Sequence, residues 1–165
     1  YEPGLLLNAQ KEQFRPIAKN PMSMGTRCHQ LAMFAVYDSP LQIFSGNPSQ
    51  GLKEPGFMNL LGSIPTTWDE TKILQGRIGE YIITARKKDN DWFIAGMNNE
   101  TTREITLSLD MIDDKTYSAT ICRDGLNAHS YASDYLITEQ IVHKNEQLKI
   151  NMAPGGGFLI RLSPQ

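Results

Sequence analysis

Tyr81-Ile82-Ile83-Thr84-Ala85-Arg86-Lys87-Lys88-Asp89-Asn90-Asp91-Trp92-Phe93-Ile94-Ala95-Gly96-Met97 is the stretch that decides the fold. In its first half Tyr81, Ile83 and Ala85 alternate with Ile82, Thr84 and Arg86; in its second, Trp92, Ile94 and Gly96 alternate with Phe93, Ala95 and Met97. A repeat of two is that of a β-strand, whose successive side chains point to opposite faces. Lys88-Asp89-Asn90-Asp91 between the halves is dense in turn formers, so the whole reads as a hairpin.

The same pattern continues toward the C-terminus. Ile105, Leu107 and Leu109 face one way, as do Tyr117, Ala119 and Ile121, then Leu148, Ile150 and Met152, then Phe158, Ile160 and Leu162. Gln75-Gly76, Asn98-Asn99-Glu100 and Asp124-Gly125 punctuate the runs. With a first strand near Trp68 to Leu74 and another near Tyr135 to Val142, about eight short strands fill residues 67–165. That spacing predicts an antiparallel β-sandwich.

Toward the N-terminus the period changes. Thr26 is placed to cap a helix along Arg27 to Tyr37, where Cys28, Leu31, Ala32, Ala35 and Val36 form an apolar face that Met33 and Phe34 widen. A helix apolar over most of its circumference is buried on more than one side. Ser39-Pro40 predicts a second short helix over Pro40 to Phe44, Gly46-Asn47-Pro48-Ser49 a turn, and Pro55 to Gly62 a third helix. Pro65 closes the helical region. Residues 1–25, with Pro3, Gly4, Pro16, Pro21 and Gly25, read as a long loop. The expectation is a mainly β chain with an α-helical N-terminal third, divided between residues 66 and 67. The third carries more apolar surface than it can bury alone, and Tyr1-Glu2-Pro3-Gly4 has neither an initiator Met nor a signal-peptide pattern. The chain therefore reads as the C-terminal piece of a longer protein.

Composition excludes several partners. The net charge is −2, with +1 over residues 1–66 and −3 over residues 67–165, so no basic face for nucleic acid or anionic lipid is expected. No apolar run approaches the roughly 20 residues of a membrane span. Cys28 and Cys122 read as two buried free thiols, with a disulfide left open by the count alone, and without the paired ligands a zinc site needs. Asp69-Glu70 are neighbours on a strand and point apart, and Asp110-Met111-Ile112-Asp113-Asp114 lacks the order of a calcium loop. His29, His129 and His143 are scattered, and His29 reads as a hydrogen-bonded core histidine. Ala153-Pro154-Gly155-Gly156-Gly157 lacks the Lys-Ser/Thr of a phosphate loop and opens a strand, so its glycines serve a bulge or a close backbone approach. Tyr131 and Tyr135, in and beside the loop-rich 127–134 stretch, are the candidates for a sugar platform.

Several segments in order resemble glycoside hydrolase family 97: Tyr1-Glu2-Pro3-Gly4, Met24-Gly25-Thr26-Arg27-Cys28-His29-Gln30-Leu31-Ala32, Ser39-Pro40-Leu41-Gln42, Pro65-Thr66-Thr67-Trp68-Asp69-Glu70-Thr71, Arg123-Asp124-Gly125 and Ala153-Pro154-Gly155-Gly156-Gly157-Phe158. The resemblance implies an N-terminal β-sandwich, a central (β/α)8 barrel and a C-terminal β-sandwich, of which this chain holds the end of the barrel (1–66) and the last sandwich (67–165). It implies an exo-acting α-glucosidase or α-galactosidase as the whole protein, with the catalytic carboxylates, and the calcium ligands of the inverting members, upstream of Tyr1. No catalytic or metal-ligating residue carries over onto this chain. Tyr1, Glu2 and Arg27 would border the barrel mouth, although the family's usual Thr is replaced by Glu2. The implied partners are the upstream barrel, an oligosaccharide and a second copy of the chain, and the implied location is the periplasm or outside the cell. The alternative reading is a sandwich that only binds carbohydrate or only assembles.

Overall fold

The structure, a computed structural model, describes Pro3, Gly4 and residues 7–165. Its strands are β1 (Asn8–Ala9), β2 (Ser23–Met24), β3 (Glu70–Arg77), β4 (Tyr81–Lys88), β5 (Asp91–Asn98), β6 (Arg103–Ser108), β7 (Tyr117–Asp124), β8 (Tyr135–Val142), β9 (Gln147–Met152) and β10 (Gly157–Pro164). Its helices are α1 (Arg27–Val36), α2 (Pro48–Gly51) and α3 (Pro55–Gly62). The chain is thus mainly β, and the eight strands expected after residue 67 are β3 to β10.

Six of them form one antiparallel sheet in the order β3-β4-β5-β10-β7-β8. β6 and β9 pair separately, Ile105 opposite Ile150 and Leu107 opposite Leu148. The two sheets face each other across Ile83, Ala85, Trp92, Ile94, Tyr117, Ile121, Phe158, Ile160 and Leu162 on one side and Ile105, Leu107, Leu148, Ile150 and Met152 on the other. This is the sandwich core that the alternation predicts.

The odd-numbered register of β5 and the matching positions of β10 and β7 face the opposite way and are buried as well. Phe93, Ala95, Leu159 and Cys122 meet Cys28, Leu31, Ala32, Ala35 and Val36 of α1, with Phe57 and Leu60 of α3 and Ile64. The greasy circumference of α1, expected to lack cover within this chain, therefore lies on the outer face of the six-stranded sheet. A central strand buried on both faces reads as a nearly continuous apolar run, and Trp92-Phe93-Ile94-Ala95 is one. The expected division at 66/67 falls inside this shared cluster, since Ile64 precedes it and Trp68, edge-on to Phe93 with ring centroids 5.4 Å apart, follows it.

Two local expectations change. No helix forms over Pro40 to Phe44: the Ser39 hydroxyl donates to the Leu41 carbonyl instead of capping, the segment has no regular structure, and Ser45 makes a parallel bridge to Gly4. The helix starts at Pro48, where Asn47 accepts from the Ser49 N–H at 3.0 Å. Gln75-Gly76 is strand rather than turn. The reversal comes at Ile78-Gly79-Glu80, where Gly79 takes φ 76°, and the ladder skips Leu74 in a bulge between Ile73 and Gln75.

Candidate functional site

The helix–sheet seam holds the buried charged groups of the described residues, Arg27, Arg86 and Asp124. At its N-terminal end Thr26 caps α1 by accepting from the His29 N–H at 3.1 Å, as the sequence predicts. Arg27 follows at the first helical position, and its guanidinium, only 6% exposed, meets Glu54 at 2.7 Å. Glu54 stands immediately before α3, and its second oxygen accepts from the Tyr135 hydroxyl at 2.5 Å. Asn8 accepts from Arg27 Nε at 3.3 Å, Arg27 lies 5.5 Å from the Tyr135 ring centroid, and that ring is edge-on to Phe57. One carboxylate thus ties α1, α3 and β8 together. Burial raises Glu54, but the hydrogen bonds from Tyr135 and Arg27 outweigh it and hold the carboxyl below its ordinary value. Tyr135 is pushed up by burial and by its bond to Glu54. The cluster can hold elements together; it has no second carboxylate with which to flank a bond.

At the same end of α1 the glycine loop supplies the close approach anticipated for it. A Cβ on Gly157 would stand 2.8 Å from His29 Cα and 2.8 Å from the Gly96 carbonyl, and one on Gly156 would strike Asp124. Asp124, 4% exposed, accepts from the N–H groups of Ala153 at 2.9 Å and Gly157 at 3.1 Å. Burial pushes its carboxyl up to about 6, against the pull of Thr26 and these two amides. His29 is a hydrogen-bonded, half-buried histidine: Nδ1 lies 3.0 Å from the Gly156 carbonyl, and burial lowers its pKa. The thiols of Cys28 and Cys122 are both buried, 3.8 Å apart across the seam. At the far end of α1, Arg86 from β4 donates to the Val36 carbonyl at 3.0 Å and to Asp38 at 3.2 Å. A cation at a helix C-terminus is where the helix dipole favours it.

The sequence candidates distribute unevenly over this geometry. Tyr1 and Glu2 lie outside the described residues. Arg27 and Tyr135, assigned to separate roles, share the same carboxylate; Tyr135 is not an open platform but is locked into the seam. Tyr131 is 71% exposed and stands apart from them in the 125–134 loop. Glu54, Arg86 and Asp124 are the residues that sequence reasoning missed. Glu54-Pro55 at a helix start was the one readable signal, because an acid there favours the helix and is poised for a partner. Among the described residues no three His, Cys, Asp or Glu side chains converge on a point a metal ion would occupy.

Residues 67–163 match the family model described as glycosyl-hydrolase 97 C-terminal, oligomerisation. This chain belongs to the glycosyl-hydrolase 97 family. Among family 97 relatives, a retaining α-galactosidase of Bacteroides thetaiotaomicron is 40% identical over 162 residues, covering 98% of this chain and 24% of the relative. A probable retaining α-galactosidase of Streptomyces bingchenggensis is 29% identical over 132 residues, covering 78% of this chain and 19% of that protein. The chain therefore spans about a quarter or less of the length of the curated relatives it matches. A glycoside hydrolase family 97 enzyme from a Pseudoalteromonas strain, solved in complex with panose, superposes with a TM-score of 0.82 at 31% identity over 86% of this chain and 23% of that one. The family's C-terminal unit accounts for β3 to β10, and its match begins one residue before Trp68, whose indole lies against the seam.

Proposed function

We propose that the chain is the C-terminal part of a retaining, exo-acting α-glycoside hydrolase of the α-galactosidase type. In that enzyme it closes the catalytic barrel and supplies a β-sandwich through which copies associate. The observation that carries the reading is the 40% identity to a retaining α-galactosidase, because it runs through helices and strands alike over 98% of the chain. On this reading residues 1–66 are the last part of a (β/α)8 barrel and residues 67–165 the terminal sandwich. Two features support that division. β1 pairs with β2 in parallel, and Gly4 with Ser45 likewise, whereas every named pair from β3 onward is antiparallel. Parallel strands belong to sheets covered on both faces, and the irregular 39–46 segment leaves Leu41 and Ile43 exposed, with Leu52 beyond it.

Retention requires two carboxyl groups roughly 5–5.5 Å apart, one of them a nucleophile. The described seam carboxylates are both committed, Glu54 to Arg27 and Tyr135 and Asp124 to the Ala153 and Gly157 amides, which supports a catalytic pair carried by the upstream barrel, as the family resemblance implies. The family resemblance assigns any calcium to the same upstream barrel. The family resemblance also motivates export to the periplasm or beyond, with the signal upstream.

The test is hydrolysis of aryl α-galactoside and aryl α-glucoside by the longer protein that carries this chain, with the product anomer followed by NMR. Faster turnover of the galactoside with retained configuration is expected, and none by the 165-residue chain alone. Preference for the glucoside, inversion, or activity in the isolated chain would overturn the reading.

A further inference from the structure

We propose that the free edge of β8, Tyr135–Val142, is the surface on which this chain pairs with a second copy of itself, antiparallel about a two-fold axis at Thr138. The inference rests on the self-association reading above and adds the surface that performs it.

The six-stranded sheet has two edges, β3 and β8. An edge strand offers a row of unpaired N–H and C=O groups, and proteins that avoid pairing blunt it with bulges and lysines. β3 is blunted in both ways: the ladder skips Leu74, and Lys72 projects from it, paired with Glu70 at 3.0 Å. β8 has neither device. Its eight residues run in unbroken register against β7, from Tyr117 opposite Val142 to Asp124 opposite Tyr135, without Pro, Gly, Lys or Arg. Among the described residues, none of the backbone bonds made outside the sheets and helices involves residues 135–142.

The side chains of β8 are bare where a sheet extension would cover them. Only β6 and β9 back the inner face, which leaves Leu136 44% exposed. The helical seam covers Tyr135 and Ile137 on the outer face but leaves Ile141 48% exposed. A closed two-fold contact uses the same patch on both copies. When the axis stands perpendicular to the sheet each residue keeps its face, so only positions of equal parity can oppose. Centring on Glu139 would set two carboxylates directly opposite, which is destabilising. Centring on Thr138 opposes Thr138 with its own copy, Leu136 with Gln140, Ile137 with Glu139 and Tyr135 with Ile141.

The experiment is sedimentation velocity of the 165-residue chain over a concentration series, together with amide hydrogen exchange, for the wild type and three variants. Leu136→Lys and Ile141→Lys sit on the proposed edge. Ile78→Lys, at the fully exposed tip of the β3–β4 hairpin, is the control. Association that weakens about tenfold or more in the two β8 variants, with circular dichroism unchanged, is expected. In the wild-type dimer the β8 amides should exchange more slowly than in dilute monomer, and Ile78→Lys should match wild type. Association that persists in both β8 variants, or that Ile78→Lys alone abolishes, overturns the β8 surface while leaving self-association standing. A wild type that stays monomeric at every concentration removes the self-association reading and the surface with it.

Discussion

Leu31→Ala puts the helix–sheet seam to a direct test. Leu31 is fully buried on α1 among Phe93, Ala95 and Leu159 of the sheet and Phe57 of α3. The substitution removes three carbons, about 2.4 kcal/mol at ~0.8 kcal/mol per buried methylene. The lining is a six-stranded sheet on one side and a second helix on another, so little collapse is available and a cavity term adds to the loss. Together these place the destabilisation at roughly 3–4 kcal/mol. Helix propensity works the other way but weakly, since alanine is the better helix former by a few tenths of a kcal/mol. Urea unfolding of the 165-residue chain, followed by circular dichroism at 222 nm for the helices and by fluorescence of Trp68 and Trp92 for the sheet, is the assay. The two probes should report one coincident transition, displaced to lower urea with an unchanged slope. A loss below about 1 kcal/mol, the scale of a surface substitution, would refute the seam. So would a helical signal that melts ahead of the tryptophans.

Other outcomes follow from the charged groups. Glu54→Gln leaves the nearly buried Arg27 without its ion pair and should cost about 1–3 kcal/mol, the exposed third of Glu54 keeping the figure low. Because Glu54 titrates below its ordinary 4.5 in the folded state, that contribution is present above about pH 4.5 and is lost as pH falls through the lower folded value. The deficit of the variant, read from urea midpoints, should therefore shrink in acid. Asp124 has the opposite sign: with its pKa raised from 3.8 to about 6, the folded state holds more protons than the unfolded state between those values. Its contribution should decline by about 3 kcal/mol as pH rises across that window, and Asp124→Asn should flatten this part of the stability profile. Arg86→Met strands the Val36 carbonyl at the end of α1 and should cost about 2 kcal/mol, detectable as a lowered Tm. Gly157→Ala drives a methyl into the backbone of His29 and Gly96 and should destabilise by about 1–3 kcal/mol, a loss no side-chain rotation relieves because the atoms met are main chain.

The sequence by itself determined the strands, their turns and the inward face of the sandwich, because a period of two is a local property of the chain. Trp92, Ile94, Phe158 and Ile160 announce their burial through the spacing of their neighbours alone. Thr26, Pro55 and the glycines before β10 were legible for a similar reason, since caps and close approaches act over a few residues. What the tertiary structure alone decided is what covers each apolar face. Periodicity shows that α1 must be buried widely but not against what, and the outer face of β5 and β10 took the place expected of a body outside the chain. Glu54 and Tyr135 stand 81 positions apart, and Arg27 is 27 positions from Glu54. No local pattern can join them, because their meeting depends on where three separate elements come to rest. The non-helical path of 39–44 is of the same kind: a cap-like Ser-Pro pair signals a helix locally, whereas the segment is tied by the Gln42 amide to the Phe34 carbonyl and by Ser45 to Gly4.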